Sequence, residues 1–167
     1  GVPANIVVPL ISDITSVCLP NAYIPPGNLA HVLIGVTGVS GTQNLCQGTN
    51  ANDIIACTTG DDLILALAGD DAIFADAGND EIYGGSGGDF IVAGAGNDYV
   101  DGGADNDGIS GGTGDDTILG GDGIDALFGD EGNDILNPGT SVPGTGPLTI
   151  NWQSAFGGTG EDTIIID

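Results

Sequence analysis

Along the middle of the chain a large apolar residue recurs every nine positions: Ile55, Ile64, Ile73, Ile82, Ile91, Val100, Ile109, Ile118, Leu127 and Leu136. Two positions before each stands an aspartate: Asp53, Asp62, Asp71, Asp80, Asp89, Asp98, Asp107, Asp116, Asp125 and Asp134. Two positions earlier again stands a glycine, with Ala51 and Asp105 as the exceptions. Alternate side chains of a strand face one way, so the apolar residue two after the aspartate points inward. The glycines reverse the chain, because glycine takes up positive φ at little cost. Two such units make one coil of eighteen residues with two short strands. Coils stacked at the usual strand spacing of about 4.8 Å bring the apolar columns into one narrow core. Each buried side chain then contributes roughly 1.5–3 kcal/mol. The predicted fold is all-β, a parallel β-roll (β-solenoid) over residues 43–137. A flexible Gly-rich linker would not hold a large side chain at one phase over that span.

The flanks read differently. Residues 1–42 carry β-prone runs at 6–11 and 31–36 broken by prolines, which predicts an extended β-rich arm or cap. Asn44 and Cys46 look like a degenerate leading repeat. Residues 138–156 predict an insertion loop in which Leu148, Ile150 and Trp152 alternate like a strand. Residues 157–167 hold a final repeat, GGTGEDTII, out of register with the rest.

Charge changes the picture. The 167 residues include 24 acids, one histidine and no Lys or Arg, for a formal charge of −24. Such an excess normally keeps a chain unfolded, yet 40% of the residues are hydrophobic. A core can form once something neutralises the acids. Nucleic acid and anionic membrane surfaces need basic patches and are expected to be poor partners. No apolar run approaches the ~18–20 residues of a membrane span. A multivalent cation remains. Aspartates eighteen apart lie above one another in two ladders, Asp53–Asp71–Asp89–Asp107–Asp125 and Asp62–Asp80–Asp98–Asp116–Asp134. Stacked carboxylates about 5 Å apart repel by roughly 1–3 kcal/mol per contact. Calcium accepts six to eight oxygen ligands, whereas magnesium demands a tighter octahedron and zinc prefers His or Cys. Calcium is the expected cofactor.

GGSGGDFIV (84–92), GGTGDDTIL (111–119) and GGDGIDALF (120–128) match the nonapeptide G-G-x-G-x-D-x-U-x. In these units the chain resembles the RTX (repeats-in-toxin) calcium-binding nonapeptide-repeat family. The resemblance implies that backbone carbonyls of the Gly-rich turns complete each calcium shell. The implied ligands are the ten ladder aspartates and Asp162, with carbonyls of turns including Gly85, Gly87, Gly94, Gly96, Gly112, Gly114, Gly121 and Gly123. Two ladders of stacked pairs give up to about eight ions. Cys57-Thr58, Ala66-Leu67 and Ala75-Asp76 replace the first two glycines of their turns, and Asp105 replaces the third, so these turns are expected to be the weaker sites.

Catalysis is not expected. Gly84 to Gly88 fits G-x-S-x-G, but that pattern needs a strand, a sharp turn and a helix with a distant acid and histidine. His31 is read as structural. Three cysteines allow at most one intrachain disulfide; a Cys18 bond to Cys46 or Cys57 would pin the arm to the roll, and the sequence does not choose the pair. Outward positions Ile54, Phe74, Phe90, Val92 and Phe128 make one apolar face, which marks an interface. Self-association through that face or through the arm is expected. The chain contains no Met, so Gly1 is not a translational start. A secreted, extracellular or cell-surface protein whose targeting segment has been removed is expected. The first functional reading is a calcium-stabilised structural or assembly protein, a subunit of a fibre, surface layer or adhesin. The alternative is a secretion or folding module detached from a larger secreted protein. Ligand or ice binding comes third, because the loops carry no regular Thr or Asn array.

Overall fold

The computed structural model describes residues 44–139 and 154–165, and the backbone of 31–34. The described residues form strands and no helix. In chain order these are β1 (His31–Ile34), β2 (Asn44–Gln47), β3 (Asp53–Ala56), β4 (Asp62–Ala68), β5 (Ala72–Ala77), β6 (Glu81–Ser86) and β7 (Phe90–Ala95). There follow β8 (Tyr99–Ala104), β9 (Gly108–Thr113), β10 (Thr117–Asp122), β11 (Ala126–Glu131), β12 (Ile135–Asn137), β13 (Ser154–Phe156) and β14 (Thr163–Ile164).

Odd strands build one seven-stranded sheet and even strands a second. Consecutive strands alternate between the sheets, so each neighbour within a sheet lies one coil away and every pair is parallel. The register follows the repeat: Ile73 faces Ile91, which faces Ile109. Opposite, Ile82 faces Val100, which faces Ile118. The predicted parallel β-roll is the observed fold. Its core holds the ten apolar residues of the period together with Cys46, all buried. Pairing also continues into the turns, where Gly85 faces Gly103 and Gly94 faces Gly112.

The roll extends beyond the predicted 43–137. Inside the expected arm, β1 adds to the odd sheet, with His31 opposite Asp53 and Ile34 opposite Ala56. Inside the expected insertion, β13 pairs with β11. The final repeat contributes β14, which pairs with β12. The rest of the arm, Cys18, and the alternating Leu148, Ile150 and Trp152 lie outside the described residues. The disulfide joins Cys46 to Cys57, so neither is available to fasten Cys18.

On the outer face of the odd sheet Ile54, Phe74, Phe90, Phe128 and Phe156 are exposed, Phe90 to 54%, and Val92 is half-buried. Phe74 and Phe90 meet edge to face at 6.2 Å, and Phe128 stacks on Phe156 at 5.2 Å. The even sheet is more polar outside, where Tyr83 Oη donates to Glu81 Oε1 at 2.6 Å. No helix among the described residues is long and apolar enough to cross a membrane.

Candidate metal centre

Each ladder aspartate begins a strand or immediately precedes one, and all ten are buried, none more than 3% exposed. One carboxylate oxygen is tied to the fold. The N–H of Asp71 donates to Asp89 Oδ1 at 2.9 Å, that of Asp89 to Asp107 Oδ1 at 2.8 Å, and that of Asp107 to Asp125 Oδ1 at 2.9 Å. The other ladder repeats the contact through Asp62, Asp80, Asp98, Asp116 and Asp134 at 2.8–2.9 Å. It ends on the half-buried Asp162, whose Oδ1 accepts from Asp134 at 3.1 Å.

The second oxygen is different. Oδ2 of Asp71, Asp80, Asp89, Asp98, Asp107, Asp116, Asp125 and Asp134 is buried with no hydrogen-bond partner among the described residues. A buried polar group without a partner is costly, and an ionised one far more so. Burial accordingly pushes the carboxyls of Asp80, Asp107 and Asp116 up to about 7 and that of Asp89 up to about 6. It also raises Asp71, Asp98, Asp125 and Asp134. The Oδ1 hydrogen bonds oppose this rise without cancelling it. Asp53 and Asp62 are better supplied with donors: Asp53 Oδ2 accepts from the N–H of Thr49 at 2.6 Å and its hydroxyl at 3.0 Å, and Asp62 Oδ2 accepts from the N–H of Thr58 at 3.0 Å.

The first glycine of the turn, where one is present, shows what the second oxygen faces. A Cβ on Gly84 would strike both Asp89 Oδ2 and the carbonyl oxygen of Gly102 in the next coil. The same pairing recurs at Gly102 with Asp107 and Gly120, at Gly111 with Asp116 and Gly129, at Gly120 with Asp125 and Pro138, and at Gly129 with Asp134 and Gly157. At each of these five turns a carboxylate oxygen and a carbonyl oxygen converge where a methyl group would not fit. Two negative ends aimed at one point are matched by a cation, and an all-oxygen donor set suits calcium rather than zinc. The residues fit the ion.

The turn carbonyls implied by the repeat lie elsewhere in the same turns. Those of Gly85, Gly94, Gly96, Gly114 and Gly121 lie along the stack where a Cβ on Gly103, Gly112, Gly114, Gly132 and Gly139 would sit. Gly87, Gly112 and Gly123 belong to the turns that lead into β7, β10 and β11. The carbonyls beside the free carboxylate oxygens belong to Gly102, Gly120, Gly129, Pro138 and Gly157, which the sequence reading did not single out. The first glycine of each pair was the available signal.

A second ladder also escaped notice. The side-chain oxygen one position before a ladder aspartate accepts from the backbone one coil later: Asp61 from Asn79, Asn79 from Asn97, Asn97 from Asp115 and Asp115 from Asn133, at 2.8–2.9 Å. Asn133 in turn accepts from Glu161 at 2.9 Å. This ladder is exposed and runs opposite to the buried one. Its signal was the recurrence of Asn and Asp at that phase.

The model of the RTX calcium-binding nonapeptide repeat matches four overlapping stretches, residues 47–82, 75–109, 83–118 and 110–140. The chain belongs to this family. The RTX repeats are calcium-binding repeats, and the regular aspartates of this roll accord with that property. No curated protein and no solved structure significantly matches the chain.

Proposed function

We propose that this RTX roll is a calcium-stabilised structural module that acts outside the cytoplasm as a subunit of a fibre, surface layer or adhesin. The observation that carries the reading is the convergence of Asp89 Oδ2 with Gly102 O, repeated up the stack. The ladder aspartates, with Asp162 at the end, are the proposed side-chain ligands, and turn carbonyls complete each shell. Bound calcium supplies positive charge between stacked carboxylates and so joins one coil to the next. Stacked pairs over 53–134 give a capacity of up to about eight ions. Because the site exists only in the folded roll, binding free energy becomes folding free energy. No catalytic role is assigned: Ser86 ends β6 and leads through Gly87 and Gly88 into another strand, with no helix behind it.

The assembly half of the reading rests on the exposed phenylalanines of the odd sheet, an apolar face that a second copy would cover. A charge of −24 on each copy opposes that contact, and bound calcium reduces the repulsion. The test is a calcium titration of the intact chain followed by circular dichroism and light scattering. Strand signal and particle size should rise together, and Phe74→Ser/Phe90→Ser/Phe128→Ser should retain the first while losing the second. A strand signal indifferent to chelator overturns the calcium reading. A calcium-folded chain that remains monomeric at high concentration overturns the assembly reading in favour of a folding module of a larger secreted protein.

A further inference from the structure

The turns of this roll are not equivalent. Five residues before each ladder aspartate the chain places glycine at 48, 84, 102, 111, 120 and 129, alanine at 66, 75 and 93, and cysteine at 57. At Gly48, Gly84, Gly102, Gly111, Gly120 and Gly129 the space a Cβ would take is shared by a carboxylate Oδ2 and a carbonyl oxygen. Ala66, Ala75 and Ala93 hold the same place in their repeats and carry a methyl group there. All three are fully buried members of the hydrophobic core.

The Asp62 turn goes further. Cys57 is bonded to Cys46, which occupies the core column of the end coil. The two sulfurs and a carboxylate oxygen of Asp62 lie within 4.8 Å of one another. Asp62 Oδ2 is engaged by the N–H of Thr58. Its Oδ1, which elsewhere accepts from the preceding coil, has no donor among the described residues, because the N–H of Asn44 goes to the carbonyl of Asp61. A hard cation placed here would face two disulfide sulfurs, which are poor ligands for calcium.

We infer that the residue five positions before each ladder aspartate selects which turns take calcium: glycine leaves the cradle open, alanine closes it, and at Asp62 the Cys46–Cys57 disulfide replaces the ion as the link that holds the turn to the end coil. This inference rests on the calcium reading above and sharpens it. The ions concentrate in the turns before Asp89, Asp107, Asp116, Asp125 and Asp134; Gly48 also leaves its turn open, but Asp53 Oδ2 there is already engaged by the N–H and hydroxyl of Thr49. The N-terminal coils hold together instead through alanine packing and one covalent bond.

The experiment counts calcium ions on the intact, oxidised chain by native mass spectrometry, with circular dichroism confirming the fold. Ala93→Gly should bind one ion more than the parent. Cys46→Ala/Cys57→Gly, which restores a glycine beside Asp62, should also gain one. Should that double variant not fold, Asp62→Asn in the disulfide-bonded chain decides the same point: its count should equal the parent's, whereas Asp116→Asn should lose at least one ion. An unchanged count in folded Ala93→Gly overturns the selection rule, and an ion lost in Asp62→Asn overturns the disulfide's role. A parent chain that binds no calcium under these conditions sinks the calcium reading itself, which is a different result from equal, non-zero counts.

Discussion

The backbone N–H of Asp98 is held by Oδ1 of Asp116, 18 residues further along, at 2.8 Å, while Oδ2 of Asp116 turns toward Gly111 and meets no donor. One carboxylate thus does two jobs, and a single substitution separates them. Asp116→Asn keeps an acceptor for Asp98 but exchanges the bare oxygen for an amide donor, close to the carbonyl of Gly129. In chelator the variant should be more stable than the parent by about 1–3 kcal/mol, the usual cost of an unsatisfied buried group. In saturating calcium the order should reverse. Urea denaturation under both conditions checks this, and an unchanged order means that Asp116 does not face an ion.

The aspartate ladders also set a pH dependence. In the calcium-free roll Asp80, Asp107 and Asp116 are raised to about 7 and Asp89 to about 6, against an ordinary value of 3.8, chiefly by burial. The folded state therefore binds protons more tightly than the unfolded chain. Their contribution to stability is fully present below about pH 4 and disappears as pH rises through 6 to 7. In chelator, strand signal should appear on acidification from pH 8 toward pH 4. With calcium present, acidification should raise the calcium midpoint, because protons compete for the same oxygens. A chelated chain whose spectrum stays flat across this range contradicts the ladder's electrostatics.

Two glycines one coil apart or less in sequence offer a contrast. Gly94 has φ near 113–120° in common with its stacked partner Gly112, and a Cβ there would collide with the carbonyl of Asp76. A Cβ on Gly108 would meet only Phe90 Cδ2 at an ordinary 3.9 Å. Gly94→Ala should raise the calcium concentration needed for folding severalfold or abolish the fold. Gly108→Ala should be neutral or stabilising by about 0.4–1 kcal/mol, since it restricts the unfolded chain. Equal behaviour of the two in thermal denaturation would show that the turns do not stack at the described distance.

The exposed ladder should matter less than the buried one. Asn97→Ala removes the acceptor for Asp115 N–H, and the side chain of Asn97 no longer hangs below it. Water replaces the lost partner at an exposed site, so the expected loss is about 0.5–1.5 kcal/mol. Asn97→Asp retains the acceptor and should recover most of it in calcium. Denaturant midpoints measured side by side give the answer.

The phase of Ile82, Val100 and Ile118 was legible because a strand shows alternate residues to its core and the repeat holds that alternation in register. The stacking of Asp80 on Asp98 followed from the coil length alone. Other features depend on vertical neighbours that the linear pattern does not display. Asn79 and Asn97 look like ordinary turn residues, for Asn and Asp serve turns in many ways. Their hydrogen bonds become visible only once the coils are stacked. The pairing of β1 was hidden because His31 precedes its partner Asp53 by 22 positions rather than 18. Cysteine pairing was open for the same reason: it turns on where the turn at Cys57 sits over the coil of Cys46, not on their separation in sequence.

The contact between Asp134 and Asp162 closes over 28 residues where every earlier rung closes over 18, yet the strands on either side keep their partners. The coil is addressed by touch and not by counting. Each new strand finds its place on the one beneath it, so extra sequence can be spliced in at a turn line while the courses above and below stay aligned. Contour length is therefore a poor guide to the height of such a column, because a stretch ten residues longer than one coil leaves the strands that pair around it in place.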